Sequence, residues 1–125
     1  MVKKNYLFSC PIGGALSVFA GRWKPEILWH LKDGCMRFNQ LRKAIAEVSQ
    51  KMLTQQLREL ERDGLVKRTQ YPEIPPRVEY EYTELAKTLI PIFDILITWS
   101  DKNGPEVIKS QQRYEKNKRK RNREQ

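Results

Sequence analysis

Residues 49–64 have the sequence SQKMLTQQLRELERDG and give the clearest structural prediction in the chain. Ser49 is a favoured helix N-cap, because its side-chain oxygen can accept a backbone N–H of the first turn. Gly64 is a typical C-terminal stop, since glycine adopts the left-handed conformation that ends many helices. The sequence therefore predicts a helix from Gln50 to about Asp63.

This predicted helix has two unlike sides. At helical spacing, one stripe is apolar and consists of Leu53, Leu57 and Leu60. The opposite stripe is basic and amide-rich and consists of Lys51, Gln55, Arg58 and Arg62. We expect the leucines to lie in a core and the polar side to be available to a partner.

The residues that follow change from helical to strand periodicity. Residues 65–71 and 77–82 are rich in β-branched and aromatic side chains and partly alternate, which predicts two strands. Residues 72–76 between them contain three prolines and are expected to form the tip of a hairpin. Thr83 is then predicted to cap a long helix, kinked at Pro91 and ending at residues 103–105.

Three shorter helices are predicted before residue 49. They cover residues 12–19, a segment that opens at Lys24 and Pro25 and ends at Gly34, and residues 38–46. The resulting order predicts a mainly α fold with a small β-hairpin, a winged helix-turn-helix. In that fold the helix over residues 50–63 enters the DNA major groove, and the hairpin lies beside it.

Length and composition limit the other possibilities. The chain has 125 residues, a mass of 14.9 kDa and a formal net charge of +9, which suits one compact domain with a basic surface. We assign residues 1–108 to this domain and residues 109–125, with eight bases and two acids, to a partly disordered basic tail. Such a tail either raises solubility or attracts nucleic acid.

Several classes of protein are excluded by residue content. Two cysteines and one histidine do not make a disulfide scaffold or a zinc site, so no metal or cofactor is expected. The chain has no segment apolar enough to span a membrane and no secretory signal, which predicts a cytoplasmic protein with no membrane partner.

The sequence also resembles the HxlR-type winged-helix transcriptional regulators of bacteria. The matching segments are Cys10-Pro11, Gly21-Arg22-Trp23-Lys24, Ile27-Leu28-Trp29-His30-Leu31, Arg37-Phe38-Asn39-Gln40-Leu41, Ser49-Gln50-Lys51-Met52-Leu53, residues 57–66, Pro75-Pro76-Arg77-Val78-Glu79-Tyr80, and Trp99. The resemblance implies a homodimeric regulator of double-stranded DNA whose terminal helices build the dimer. This chain has Ala46 and Glu47 where the family often has Pro-Gly, so we expect that turn to adopt a conformation open to ordinary residues.

Each candidate residue also has an ordinary structural role. The candidate DNA-binding residues are Arg37, Ser49, Gln50, Lys51, Thr54, Gln55, Arg58 and Arg77. A solvated helix face is the ordinary role for the residues on the predicted recognition helix, and Ser49 also serves as its cap. Arg37 serves equally well as a surface arginine, and Arg77 as an ion-pair partner of Glu79 or Glu73.

The resemblance adds a candidate redox switch and a candidate dimer interface. Cys10 aligns with a cysteine that senses oxidants or electrophiles in some similar regulators, whereas a free cysteine is more often a small buried apolar residue. The predicted dimer interface consists of Leu16, Phe19, Leu89, Ile92, Phe93, Leu96 and Trp99.

Three classes of function are compatible with this pattern. The favoured one is a sequence-specific regulator that binds a pseudo-palindromic operator as a homodimer and responds to an oxidant or a small effector. The second is an interaction module that binds RNA or an acidic partner through its tail without reading bases. A thiol enzyme is disfavoured, because Cys10 has only His30 as a base and no carboxylate at a fitting spacing.

Overall fold

A computed structural model of the chain describes residues 9–124. Residues 1–8, on which the prediction of no secretory signal depends, and Gln125 lie outside the described residues. The elements in chain order are α1 (Pro11–Phe19), α2 (Lys24–Leu31), β1 (Met36–Arg37), α3 (Phe38–Ala44), α4 (Gln50–Arg62), β2 (Val66–Tyr71), β3 (Arg77–Tyr82), α5 (Glu84–Lys87) and α6 (Ile90–Glu124). They form two compact units, the first ending at Thr88 and the second beginning at Leu89, not at the predicted boundary after residue 108.

Both predicted ends of α4 are confirmed. The Ser49 hydroxyl accepts a hydrogen bond from the backbone N–H of Met52 at 3.0 Å. At the other end Gly64 has a φ of +80°, and the N–H of Leu65 donates to the carbonyl of Leu60 at 2.9 Å. This is the Schellman arrangement, which satisfies carbonyls that the helix leaves without partners.

The predicted hairpin is confirmed and belongs to a three-stranded antiparallel sheet. β2 and β3 pair from Val66 opposite Tyr82 to Tyr71 opposite Arg77. β1 pairs with the other edge of β3, so the strand order is β1-β3-β2. The sequence did not predict β1, because a two-residue strand shows no periodicity.

The helix predicted to begin after Thr83 is two helices. Thr83 does act as a cap, accepting the N–H of Ala86 at 3.1 Å, but α5 ends at Lys87. Proline has no N–H, so Pro91 cannot donate to the carbonyl of Lys87 and continue the helix. Pro91 lies instead in the first turn of α6, where proline is favoured, and the predicted mid-helix kink is wrong.

The predicted end of this helix at residues 103–105 is also wrong. α6 continues through Pro105 to Glu124, and residues 109–124, predicted to be partly disordered, are helical. The amide of Asn103 donates to the carbonyl of Trp99 at 3.1 Å. Beyond Pro105 the chain consists largely of Glu, Lys, Gln and Arg, which favour helix strongly enough to outweigh one proline.

The first unit has a single apolar core, to which α2, α3, α4 and the sheet all contribute. Its largest fully buried side chains are Ile27, Leu28, Leu31, Leu41, Ile45, Leu53, Leu57 and Leu60. The Tyr82 hydroxyl donates to the carbonyl of Leu28, which ties β3 to α2. Burial, with a smaller contribution from the negative charge of Asp33, raises the pKa of Tyr82 to about 12.

We expect Tyr82 to weaken the fold at high pH. In the unfolded chain its pKa is about 10, so between pH 10 and 12 the unfolded state loses a proton that the native state retains. Its contribution is therefore present below pH 10 and lost as the pH rises toward 12. Urea unfolding between pH 9 and 12 should give a shallower decline for Tyr82→Phe than for the wild type. Tyr114→Phe is the control, since Tyr114 is exposed, and an equal change in both variants would contradict the assignment.

The turn before α4 contradicts the sequence-based expectation. Glu47 has a φ of +68°, the left-handed conformation that ordinary side chains rarely adopt. Its carboxylate pairs with the guanidinium of Arg22 at 2.9 Å, but both side chains are largely exposed, so this ion pair contributes little. A non-glycine residue in this conformation costs about 1 kcal/mol or more.

We therefore expect Glu47→Gly to stabilise the protein by roughly 0.5–1 kcal/mol, after the greater flexibility of glycine in the unfolded chain is deducted. Thermal unfolding should show a midpoint a few degrees higher. Glu47→Ala is the matched control, because it removes the same carboxylate but keeps the Cβ atom that causes the strain. If Ala stabilises as much as Gly, backbone strain at this turn is not the cause.

Candidate nucleic-acid interface

The predicted two-sided character of α4 is confirmed. Its leucines are at most 1% exposed, and its polar side lines one open surface groove. The side chains lining this groove are Gln50, Lys51, Thr54, Gln55, Arg58, Glu59 and Arg62. The outward side of the helix therefore carries donors, acceptors and positive charge, which are the groups needed to contact DNA bases and phosphates.

Four of the predicted DNA-binding side chains on α4 are uncommitted. Within residues 9–124, the residues that are exposed and make no side-chain hydrogen bond or ion pair with the protein are Gln50, Lys51, Gln55 and Arg58. Thr54 differs, since its hydroxyl donates to the carbonyl of Gln50 at 2.8 Å. The long side chains that can reach base edges are the ones that the fold leaves free.

Arg62, at the end of the same stripe, differs because its side chain is hydrogen-bonded within the protein. Its guanidinium donates to both carboxylate oxygens of Asp63, at 3.0 and 3.2 Å. This hydrogen bonding raises the pKa of Arg62. The sequence placed Arg62 on the polar stripe but did not indicate that Asp63 would accept hydrogen bonds from its guanidinium.

A polar anchor that the sequence analysis missed holds α4 against α2. The ammonium of Lys24 donates to a carboxylate oxygen of Glu59 at 3.2 Å, and only 8% of the Lys24 side chain is exposed. Thr83 adds a second anchor beyond the helix end, donating its hydroxyl to the carbonyl of Gly64 at 2.6 Å. The Lys24–Glu59 contact joins residues 35 positions apart, and no sequence motif links them.

The other predicted contacts on the helical side lie at helix starts. Ser49 is exposed, and its hydroxyl oxygen is used as the cap of α4. Arg37 immediately precedes α3, where its backbone N–H donates to the side-chain oxygen of Gln40 at 2.8 Å. The Arg37 residue is exposed, so its guanidinium is available at the surface.

Arg77 forms ion pairs on the hairpin, which is the alternative role predicted for it from the sequence. Its guanidinium nitrogens lie 3.3 Å from Glu73 and 3.5 Å from Glu79, and it stacks on the ring of Tyr71 at 4.1 Å from the centroid. Because two carboxylates and an aromatic ring already engage this side chain, the structure does not favour it as a free contact to DNA. At the hairpin tip, Ile74 is fully exposed.

The predicted dimer residues divide into exposed and buried groups. Leu16, Ile92, Leu96 and Trp99 are 41–57% exposed, which is unusual for large apolar side chains. Phe19 and Phe93 are at most 8% exposed, so they offer almost no surface to a partner and their prediction as interface residues is not supported. Leu89 is half-buried.

The two cysteines are exposed thiols in different surroundings. Cys10 is the residue before α1 and makes no capping hydrogen bond with its side chain. Cys35 lies 3.6 Å from a carboxylate oxygen of Glu79, whose negative charge raises the pKa of this thiol. A raised pKa opposes thiolate formation, so Cys35 is the less reactive candidate.

Among residues 9–124 there is no group of three His, Cys, Asp or Glu side chains that could hold a metal ion. None of the helices described is long and apolar enough to cross a membrane.

Comparison with known proteins gives one consistent result. The profile of the HxlR-like helix-turn-helix family matches residues 18–108. The uncharacterised helix-turn-helix regulator YdeP of Bacillus subtilis is 46% identical over 100 residues, covering 80% of this chain and 78% of YdeP.

Solved structures agree with the sequence comparison. The redox regulator HypR in its reduced form has a TM-score of 0.74 and 43% identity, covering 80% of this chain and 98% of HypR. The reduced form of the transcriptional regulator YodB from B. subtilis has a TM-score of 0.68 and 35% identity, covering 74% of this chain and 91% of YodB. The predicted winged helix-turn-helix fold is thereby confirmed, and the chain belongs to the HxlR-like helix-turn-helix family of DNA-binding transcriptional regulators.

Proposed function

We propose that the protein is a sequence-specific regulator that binds a pseudo-palindromic operator as a homodimer. The observation that carries this proposal is the outward side of α4, where Lys51, Gln55 and Arg58 are exposed and uncommitted. An α-helix fits the major groove, which is about 12 Å wide. In a two-fold symmetric dimer, the two copies of α4 would enter grooves about 34 Å apart.

Each free side chain has a matching target in the major groove. The guanidinium of Arg58 can donate two hydrogen bonds to a guanine edge, and the amide of Gln55 can pair with an adenine edge. Lys51 can neutralise a phosphate or contact a guanine. Arg37 and the N-terminus of α4 at Ser49 and Gln50 are suited to phosphates, which position a protein on DNA without specifying sequence.

The exposed apolar side of α6 supports a homodimer. Ile92, Ile95, Leu96 and Trp99 are 41–69% exposed and fall within about 100° of one another around the helix. A contiguous apolar surface of this kind is typical of protein interfaces. A second copy of the chain would cover it with an identical surface, as two-fold symmetry requires.

Cys10 is our candidate for regulation by oxidants. The thiol is exposed, and two of the similar structures are a redox regulator, HypR, in oxidised and reduced forms. A peroxide would oxidise the Cys10 thiol to a sulfenic acid: a sulfur–oxygen bond forms, the peroxide O–O bond breaks, and water leaves with the thiol proton. The resulting change at the start of α1 would alter the dimer geometry and thus the spacing of the two recognition helices.

Selection of bound duplexes from a random library tests the whole proposal. The purified protein should enrich two inverted half-sites one helical turn apart, bound at least 1,000-fold more tightly than random duplex. A thiol oxidant should change the operator affinity of the wild-type protein but not that of Cys10→Ser. Cys35→Ser is the control, and its operator affinity should still respond to the oxidant. Uniform binding to all duplexes would contradict base readout and favour an interaction module. A single half-site would contradict the dimer.

A further inference from the structure

The last four turns of α6 concentrate positive charge on one side. Five bases follow one another at spacings of four, three, four and three residues: Lys109, Arg113, Lys116, Lys120 and Arg123. At 100° per residue these five, the cationic stripe, fall within about 80° around the helix. Of the remaining bases of this segment, Lys118 and Arg121 lie at least about 80° outside the stripe. Arg119 lies at its edge and lines the same surface groove as Lys116, Lys120 and Arg123. The alignment exists only because residues 109–124 are helical.

The protein itself scarcely neutralises the cationic stripe. Every member is exposed, and within residues 9–124 the one ion pair of the stripe joins Lys109 to Glu106 at 3.7 Å. Like charges three and four residues apart destabilise a helix, although proximity to the C-terminal end of the helix dipole offsets part of this. An anionic partner along the stripe would remove the repulsion.

We propose that the cationic stripe binds the phosphate backbone of double-stranded DNA, as a contact separate from base reading by α4. This proposal rests on the proposed function, since it assumes that the regulator binds duplex DNA. The stripe is about 21 Å long, which equals the rise of about six base pairs. A second copy of this chain is the wrong partner, because two identical stripes would repel each other.

All five contact positions of the stripe are cations, and a cation that contacts a phosphate carries no sequence information. The contribution of the stripe is therefore expected to be independent of sequence and strongly dependent on salt. It would strengthen operator and random DNA alike. The family match ends at residue 108, so this contact would be an addition to the part of the chain that defines the family.

Two double variants of the full-length protein test the stripe at equal net charge. One replaces Arg113 and Lys120 with Gln, and the other replaces Lys118 and Arg121 with Gln. Binding to a 30-base-pair random duplex is measured by fluorescence anisotropy between 50 and 300 mM NaCl. Circular dichroism checks that both variants keep the helix content of the wild type.

The association constant K falls with salt, so the slope of log K against log salt is negative. The stripe variant should make this slope less negative by about 2, and the off-stripe variant by less than 1. Equal changes in both variants would show that net charge alone matters, and no change in either would show that the segment does not contact DNA. Either result overturns the proposal. The proposal would also be overturned if the stripe bound vesicles containing phosphatidylserine, or transfer RNA, more tightly than it binds the random duplex. Failure of the wild type to bind any duplex would instead count against the proposed function.

Discussion

Arg58→Ala should lower affinity for the selected operator by about 10- to 100-fold while changing affinity for random duplex by less than about threefold. A bidentate contact from arginine to a guanine edge contributes about 1–3 kcal/mol of discrimination, which corresponds to this range. The structure supports this role because Arg58 lies at the middle of the polar side of α4 and is exposed and uncommitted among the described residues. Competition binding against operator and random DNA measures both affinities.

Arg62→Ala is the matched control for Arg58→Ala. Both arginines lie on α4, one turn apart, but the guanidinium of Arg62 is already hydrogen-bonded to both oxygens of Asp63. We expect its removal to change operator affinity by less than about threefold, as for an arginine that makes no base contact. If Arg58→Ala lowers the affinity for operator and for random DNA equally, Arg58 contacts a phosphate and not a base. A larger loss for Arg62 would place base reading nearer the C-terminal end of α4.

Local sequence signals predicted the element that forms the site. The helix α4 depends on neighbours in sequence: the Ser49 cap, the Gly64 stop, and leucines at helical spacing. The hairpin of β2 and β3 likewise follows from strand-forming residues around a proline-rich tip. Interactions of this kind act within a few residues, so one sequence is enough to predict them.

Local sequence patterns do not indicate long-range contacts, and they do not decide between competing local preferences. β1 exists because β3 offers it an edge, and no local pattern marks a two-residue strand. Residues 103–105 contain the usual signs of a helix end, yet the strongly helix-forming segment after them continues α6. The sequence named Glu73 or Glu79 as an alternative partner of Arg77, but it did not indicate that both carboxylates and the ring of Tyr71 engage this side chain once the hairpin has formed.

The contact between Lys24 and Glu59 is the least predictable from sequence and has the largest expected effect on stability. We expect Glu59→Ala to lower the free energy of unfolding by about 2–3 kcal/mol, because it leaves the buried Lys24 ammonium without its partner. This is below the 3–5 kcal/mol typical of fully buried pairs, since 29% of the Glu59 side chain is exposed. Urea unfolding followed by tryptophan fluorescence measures the change.

Two comparisons separate the loss of this ion pair from a general effect of removing charge. Arg22→Ala breaks an ion pair whose side chains are 67% and 78% exposed, so it should cost less than about 0.5 kcal/mol. In the Glu59→Ala background, Lys24→Met should restore much of the lost stability, because the uncompensated buried charge is then gone. If Glu59→Ala costs no more than Arg22→Ala, or if Lys24→Met only adds to the loss, the ion pair does not anchor α4. The recognition helix would then be held in place by its three buried leucines and by the hydrogen bond from Thr83 to Gly64.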